Sequence, residues 1–380
     1  MFTANVDEES LTGHSDLHSD VGAQGEEHPG RVANPTIKAT GLAWLEFDKP
    51  DLDRAQMFAR DFGFVVHHRS ADSLYLRGYR PGSACMVIRK APQARFRGLA
   101  FSAADPADLQ RIADEHGANV RPADDALGGS LVSLHDPNGV EVSVVHGQDT
   151  LPELPRQQPQ VYNFAGRTPR VNQTQHPVRE PARVERLGHL AMASRTFSRT
   201  LDWYLQNFGL IVSDFQYLDG QRDRGPVFAF IRCDRGSEPS DHHSLALLLA
   251  PEAGYAHSAY EVADLDALAA GGEYLRERNW TRSWGIGRHV QGSQIFDYWR
   301  DPERFMVEHY ADGDVFDNTV PAGWAPLRAS GLAQWGPPAT KDFLGNKPSP
   351  TLVRTAIEAL REDNEIDVAR LKAFMKAMSR

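Results

Sequence analysis

Cysteine is scarce in this chain, with only two among 380 residues, Cys85 and Cys233. They lie far apart and form no metal or redox motif, so a reducing cytoplasm is the expected compartment. No apolar run approaches the roughly 18 residues that span a bilayer, so no membrane partner is expected. The opening residues, Met1 to Glu9, carry neither a basic patch nor an apolar stretch, and no secretory signal is expected. Positive charge is also in deficit. Lys and Arg number 41 against 51 Asp and Glu, a formal net charge of −10, which argues against a nucleic-acid partner because phosphate binding needs clustered cations. What remains is the balance of a soluble globular protein, 41% hydrophobic and 24% charged. The length exceeds one ordinary core and suits two domains with tails.

Composition divides the chain. Residues 1–35 are polar, acidic and poor in large apolar side chains, and are expected to form a disordered arm. Its histidines His14, His18 and His28 have no partners at ligand spacing. Residues 149–182, with Pro152, Pro155, Pro159 and several glutamines, suit an interdomain linker. A Pro- and Gly-rich stretch opens the region 319–380 and leads to a helical tail, which Ser349-Pro350 can start. Leu352, Ile357, Leu360, Leu371, Phe374 and Met375 give that tail an amphipathic pattern. Packing on its own chain, or a subunit contact in a homo-oligomer, is expected ahead of a lid over a site.

The two blocks between these breaks, 36–148 and 183–318, repeat one internal order. A short apolar strand, Gly41 to Phe47 or Leu187 to Met192, leads into a helix ending in Phe62-Gly63 or Phe208-Gly209. Either glycine suits the left-handed residue past a helix end. A second strand and helix follow in each, through Leu109 and Ile112 or through Leu268 and Tyr274. Each block then closes on a turn and strand, Asp136-Pro137 into Val140–Ser143 and Asp301-Pro302 into Phe305–Glu308. The expected fold is α+β: two tandem modules, each of paired β-α-β-β-β units curled into an incomplete barrel, plus the helical tail.

Superposing the blocks puts His189 opposite Ala43, His257 opposite Gly98 and Glu308 opposite Ser143. A lone histidine in an apolar strand is more often a hydrogen-bonded core residue than a ligand, and Glu308 alone could pair with Arg304. Yet three positions change together to ligand types, which packing explains poorly. Two imidazoles and a carboxylate on one face form the facial triad of non-haem Fe(II) oxygenases, with open positions left for substrate and O2. Alternation along the strand turns His309 away from the side that Glu308 faces.

The motifs Gly188-His189-Leu190, Tyr255-Ala256-His257, Gly287-Arg288-His289 with Tyr298, and Asp301-Pro302 running to Val307-Glu308-His309-Tyr310 resemble the vicinal oxygen chelate superfamily. Within it they are most similar to the two-module type I extradiol ring-cleavage dioxygenases, over about residues 38–315 of this chain. The resemblance implies that His189, His257 and Glu308 bind Fe(II), with Mn(II) the alternative. It implies that His243, in Asp241-His242-His243-Ser244-Leu245-Ala246-Leu247, is the acid-base group near O2, with His242 facing the other way. His289 and Tyr298 would meet the hydroxyls of a catecholic substrate. The implied reaction inserts both atoms of O2 to give a hydroxymuconate-type product. A 4-hydroxyphenylpyruvate dioxygenase-like oxygenase shares the scaffold but has no need of the His243, His289 and Tyr298 set. Glyoxalase-like isomerisation draws ligands from both modules, against Ala43, Gly98 and Ser143. A non-enzymatic binding module of the bleomycin-resistance type would not require the triad. Arg282, Trp284 and Arg288, near His289, stand equally as contacts to a substrate carboxylate or ring and as solvated loop residues.

Overall fold

The computed structural model of the protein describes residues 19–345, 354, 358–361 and 365–378. After a two-residue strand β1 (Asp20–Val21), the first module runs β2 (Ala39–Lys49), α1 (Leu52–Phe62), β3 (Val65–Arg69), β4 (Ser73–Arg77) and β5 (Met86–Lys90). It continues through β6 (Arg95–Ala103), α2 (Pro106–His116), β7 (Arg121–Pro122), β8 (Ser130–His135) and β9 (Glu141–His146). The second module repeats the order with β10 (Arg186–Ser194), α3 (Phe197–Phe208), β11 (Leu210–Tyr217), β12 (Phe228–Cys233), β13 (Ser240–Asp241) and β14 (Leu245–Leu249). Then come β15 (Gly254–Glu261), α4 (Leu265–Glu277), β16 (Thr281–His289), β17 (Ile295–Arg300) and β18 (Met306–Ala311). Short strands β19 (Val315–Phe316), β20 (Gly323–Pro326) and β21 (Ala333–Trp335) precede a final helix, α5 (Val368–Ala377).

Pairing makes the repeat concrete. In each β-α-β-β-β unit the first and last strands lie side by side in parallel: β2 with β5, β6 with β9, β10 with β14 and β15 with β18. Within a module the two units join antiparallel through their first strands, β2 to β6 and β10 to β15. Each module is thus one curved, open sheet, in the order β3-β4-β5-β2-β6-β9-β8-β7 in the first. The strand triplets that follow each helix curl toward one another and leave a concave face between them. Local sequence sets the helix ends. The Asp51 side chain accepts from the amides of Asp53 and Arg54, and Gly63 closes α1 at φ 104°, a conformation few side chains tolerate. Asp105 and Asp108 form a capping box on α2.

A single hydrophobic core crosses both modules, including Phe62 and Phe101 from the first and Phe208, Tyr260 and Trp299 from the second. Burying each large aromatic contributes about 1.5–3 kcal/mol. Polar links reinforce the junction. Lys49, buried, lies against the Asp301 and Glu303 carboxylates, and the Asp61 carboxylate accepts from the Trp280 indole at 2.9 Å.

Three expectations need correction. The arm is not structureless throughout: β1 pairs with β20, His28 hydrogen-bonds Asp202 at 2.9 Å, and Arg222 binds Glu27. Few apolar side chains were needed, because the edge strand β20 offers free backbone partners and Arg222 offers charge. The second sheet does not stop at residue 318, since β20 and β21 extend it, giving the order β1-β20-β11-β12-β14-β10-β15-β18-β17-β16-β21. The residue opposite His189 is Trp44 rather than Ala43. Trp44 pairs with Ala100 as His189 pairs with Ala259; both strands carry the same bulge just before this residue, and the count slips because α1 has 11 residues and α3 has 12. The Ser349-Pro350 start of the tail, with His14 and His18, lies outside the described residues.

Candidate metal centre

Three neighbouring strands at the middle of the second sheet carry the triad. His189 stands on β10, His257 on β15 and Glu308 on β18, with Ala259 paired to both His189 and Glu308. Ladder hydrogen bonds on both sides of β10 and β15 hold these backbones in place, so the side chains meet without loop flexibility. His189 Nε2 lies 3.2 Å from His257 Nε2 and 3.4 Å from Glu308 Oε2, and His257 Nε2 lies 3.5 Å from the same oxygen. Among the described residues these are the group whose ligand atoms all lie within 4.8 Å of one another.

The donor chemistry fits a divalent ion. Glu308 is wholly buried, yet neither carboxylate oxygen has a hydrogen bond, a costly arrangement without a cation. Burial raises its pKa and lowers those of His189 and His257 to about 3, so both imidazoles are neutral with lone pairs available. Metal–nitrogen bonds of about 2.1 Å would separate neighbouring ligands by about 3 Å, close to the spacings observed. His309 turns the other way, as alternation predicts. Its Nε2–H donates to the Phe62 carbonyl of the first module at 2.7 Å, and its ring stacks on Phe62 with centroids 3.7 Å apart.

Around the triad, His243, His289 and Tyr298 line a cavity of about 290 Å³. The His289 pair can be read atom by atom. Its Nδ1 faces the Leu332 carbonyl at 2.8 Å, which can only accept, so the proton sits on Nδ1. Nε2 then accepts from the Tyr298 hydroxyl at 2.8 Å. Burial lowers the His289 pKa and raises that of Tyr298 far above its usual value, so both are neutral at rest. The His243 ring lies 4.0 Å from that of His189, centroid to centroid, and burial holds it neutral.

His242 does not face away from His243. The two sit in the irregular turn between β13 and β14, where strand alternation does not apply, and their Nδ1 atoms are 3.0 Å apart. His242 Nε2 meets Asp214 Oδ2 at 2.7 Å. The carboxylate accepts from Nε2–H. In the tautomer with its proton on Nε2, His242 accepts at Nδ1 from His243 Nδ1–H, leaving the lone pair of His243 on Nε2. The His-His doublet marked this spot in sequence, but nothing marked Asp214.

Two further groupings differ from expectation. Arg282 is tied to Asp297 at 2.9 Å and Arg288 to Asp312 at 2.7 Å, and neither lines the cavity, whereas the Trp284 ring packs 5.7 Å from that of His289. The tail packs on its own chain, as expected, with Phe374 and Met378 against the core, and it also brings Leu371, Phe374, Met375 and Met378 of α5 and its cap to the cavity wall, which was not the favoured expectation. These fall at i, i+3, i+4 and i+7, one helical stripe. Arg224 binds Asp367 at 2.6 Å, and the Glu365 carboxylate accepts from the Ser198 amide and hydroxyl, anchoring the helix over the site. Periodicity showed that the stripe was apolar; it could not show what the stripe covers.

No family model matches the sequence. Metapyrocatechase 2 from Cupriavidus necator is 29% identical over 341 residues, spanning 87% of this chain and 99% of that protein. The iron-dependent extradiol dioxygenase of Rhodococcus jostii (strain RHA1) is 22% identical over 309 residues, 78% of this chain and 95% of the relative. Homoprotocatechuate 2,3-dioxygenase from Brevibacterium fuscum, solved with 3,4-dihydroxyphenylacetate, superposes with a TM-score of 0.67 at 17% identity, over 84% of this chain and 95% of that one. Such a superposition speaks for the fold. Over most of its length the chain is similar to a metapyrocatechase and to an extradiol dioxygenase, and it shares the fold of solved extradiol dioxygenases.

Proposed function

We propose that the protein cleaves a catecholic substrate with O2 at an Fe(II) held by His189, His257 and Glu308, giving a hydroxymuconate-type product. The observation that carries this reading is the convergence of two neutral imidazoles and an unpaired buried carboxylate beside an enclosed cavity. A bound divalent ion would supply Lewis acidity to a catechol hydroxyl and open positions for both reactants. Iron is favoured over manganese because the Rhodococcus relative is named for iron.

The surrounding residues handle protons. The Tyr298 hydroxyl, donating to His289 Nε2, keeps its oxygen free to take a proton from a substrate hydroxyl while passing its own onward. His289 is held for that task by the Leu332 carbonyl. His243, on another wall of the cavity, presents the Nε2 lone pair, which can take a proton released by the substrate and return it to reacting oxygen, and Asp214 and His242 behind it fix the ring and its tautomer. Phe228, Phe230 and the α5 stripe exclude water, which strengthens each of these interactions.

The test is anaerobic loading with Fe(II), then exposure to catechol and O2. The expected result is a yellow ring-fission product, equimolar O2 uptake, and loss of both metal and turnover in His189→Ala. Retention of metal and full activity by that variant would sink the assignment of the site.

A further inference from the structure

The cavity's chemistry narrows the substrate further than the reaction type does. Beyond the triad and its polar neighbours, its walls are aliphatic and aromatic: Phe228, Phe230, Leu248, Phe343 and the α5 stripe. The other polar side chains that line it, Gln291 and Gln294, are uncharged. No lysine or arginine lines it among the described residues. Of the arginines on the strand that carries His289, Arg282 is committed to Asp297 and Arg288 to both Asp312 and the Ser293 carbonyl. At about 290 Å³ the space exceeds what an unsubstituted catechol ring fills.

We infer that the substrate is an uncharged catechol bearing an apolar ring substituent, alkyl or aryl, which packs against the α5 stripe of Leu371, Phe374 and Met378. The inference rests on the extradiol reading and deepens it. A carboxylate on the substituent would enter a wall with no cation to meet it, close to the buried Glu308, and would lose its water without replacement. An alkyl or aryl group leaves water for a surface of its own kind. Discrimination of roughly a hundredfold or more between the two classes is the scale expected for an unpaired buried charge.

The experiment uses the Fe(II)-loaded full chain with catechol, 4-ethylcatechol, 3-phenylcatechol, 3,4-dihydroxybenzoate and 3,4-dihydroxyphenylacetate. Affinity is read by anaerobic calorimetry and kcat/KM by O2 uptake. At least one apolar-substituted catechol should exceed catechol in both, with the carboxylated compounds a hundredfold or more below it. A second variant, Phe374→Arg, places a cation in the wall and should shift the ratio of carboxylated to alkyl catechol binding by tenfold or more toward the acid. Carboxylated compounds that match or beat both apolar ones in wild-type protein would overturn the inference while leaving extradiol cleavage intact. If no catechol of any class yields ring-fission product, the extradiol reading fails instead, and the calorimetric ranking still judges the cavity.

Discussion

His309 offers a test of how the catalytic module is held to its partner. Its ring donates to the Phe62 carbonyl at the end of α1 and stacks on the Phe62 side chain, and it is wholly buried. Replacing it with alanine opens a ring-sized void, costing about 2–4 kcal/mol, and strips a buried carbonyl of its partner, costing about 1–3 kcal/mol. Some of this is regained because the buried Nδ1, which lacks a partner, is also removed. The expected loss for His309→Ala is about 3–5 kcal/mol. His309→Phe keeps the volume and the stack, and should lose about 2 kcal/mol or less.

The same residue should set an acid limit on stability. Burial lowers its pKa from 6.5 to about 4, so the unfolded chain takes up the proton first as pH falls. The contribution is therefore complete above pH 6.5 and is lost between there and about pH 4, at about 1.4 kcal/mol per unit of pH. Over that window the loss is on the order of 3 kcal/mol, and His309→Phe should be spared it. Denaturant titrations of metal-loaded wild type and both variants at pH 7 and pH 5 would measure each quantity, with metal content checked in parallel. The reasoning is refuted if His309→Ala lies within about 0.5 kcal/mol of wild type at pH 7. It is equally refuted if His309→Phe shows the full acid sensitivity of the parent.

Other outcomes follow from the geometry. Lys49→Met should cost about 3–5 kcal/mol in denaturant titration, because it leaves the Asp301 and Glu303 carboxylates buried without their cation, and adding Glu303→Gln should recover part of the loss. Asp214→Asn frees the His242 ring and with it the tautomer of His243. Steady-state kinetics should show kcat down by about 10–100-fold, with KM for the catechol and bound metal nearly unchanged. Stripping the metal should lower the melting temperature, since an ion held at a thousandfold excess over its Kd stabilises by about 4 kcal/mol, and calorimetry of chelated and reloaded protein would register the difference.

Much of the site was legible in the sequence, and the reasons differ residue by residue. The triad stood out because the first module supplied an internal control, the same scaffold with other residues at the three positions. At Ala43 that control slips by one place, because α3 is one residue longer than α1 and no periodicity reveals where the extra residue falls. Strand alternation correctly sent His309 away from Glu308 and failed for His242, which lies in a turn rather than a strand. Asp214 reaches His242 across 28 positions of sequence, and α5 reaches the cavity from the far end of the chain. Such contacts depend on how the sheet curves and not on any local pattern. The arm was misjudged because composition gauges how much a segment can bury, not whether a neighbouring edge strand has backbone groups to share.

Trp44 gives the asymmetry between the modules a historical direction. Its indole occupies, with Tyr75, Val87, Ala100 and Leu131, the place that His189 holds in the second half. Exchanging it for histidine would hollow out that cluster. A side chain at Gly98 would collide with the Glu141 carbonyl, and a glutamate at the buried Ser143 would displace the Ser133 hydroxyl that Ser143 bonds. Each step toward a second centre is harmful alone, and all three are needed before an ion gains a foothold. Three separate obstacles thus keep an ion out of the first module, and no single substitution removes them.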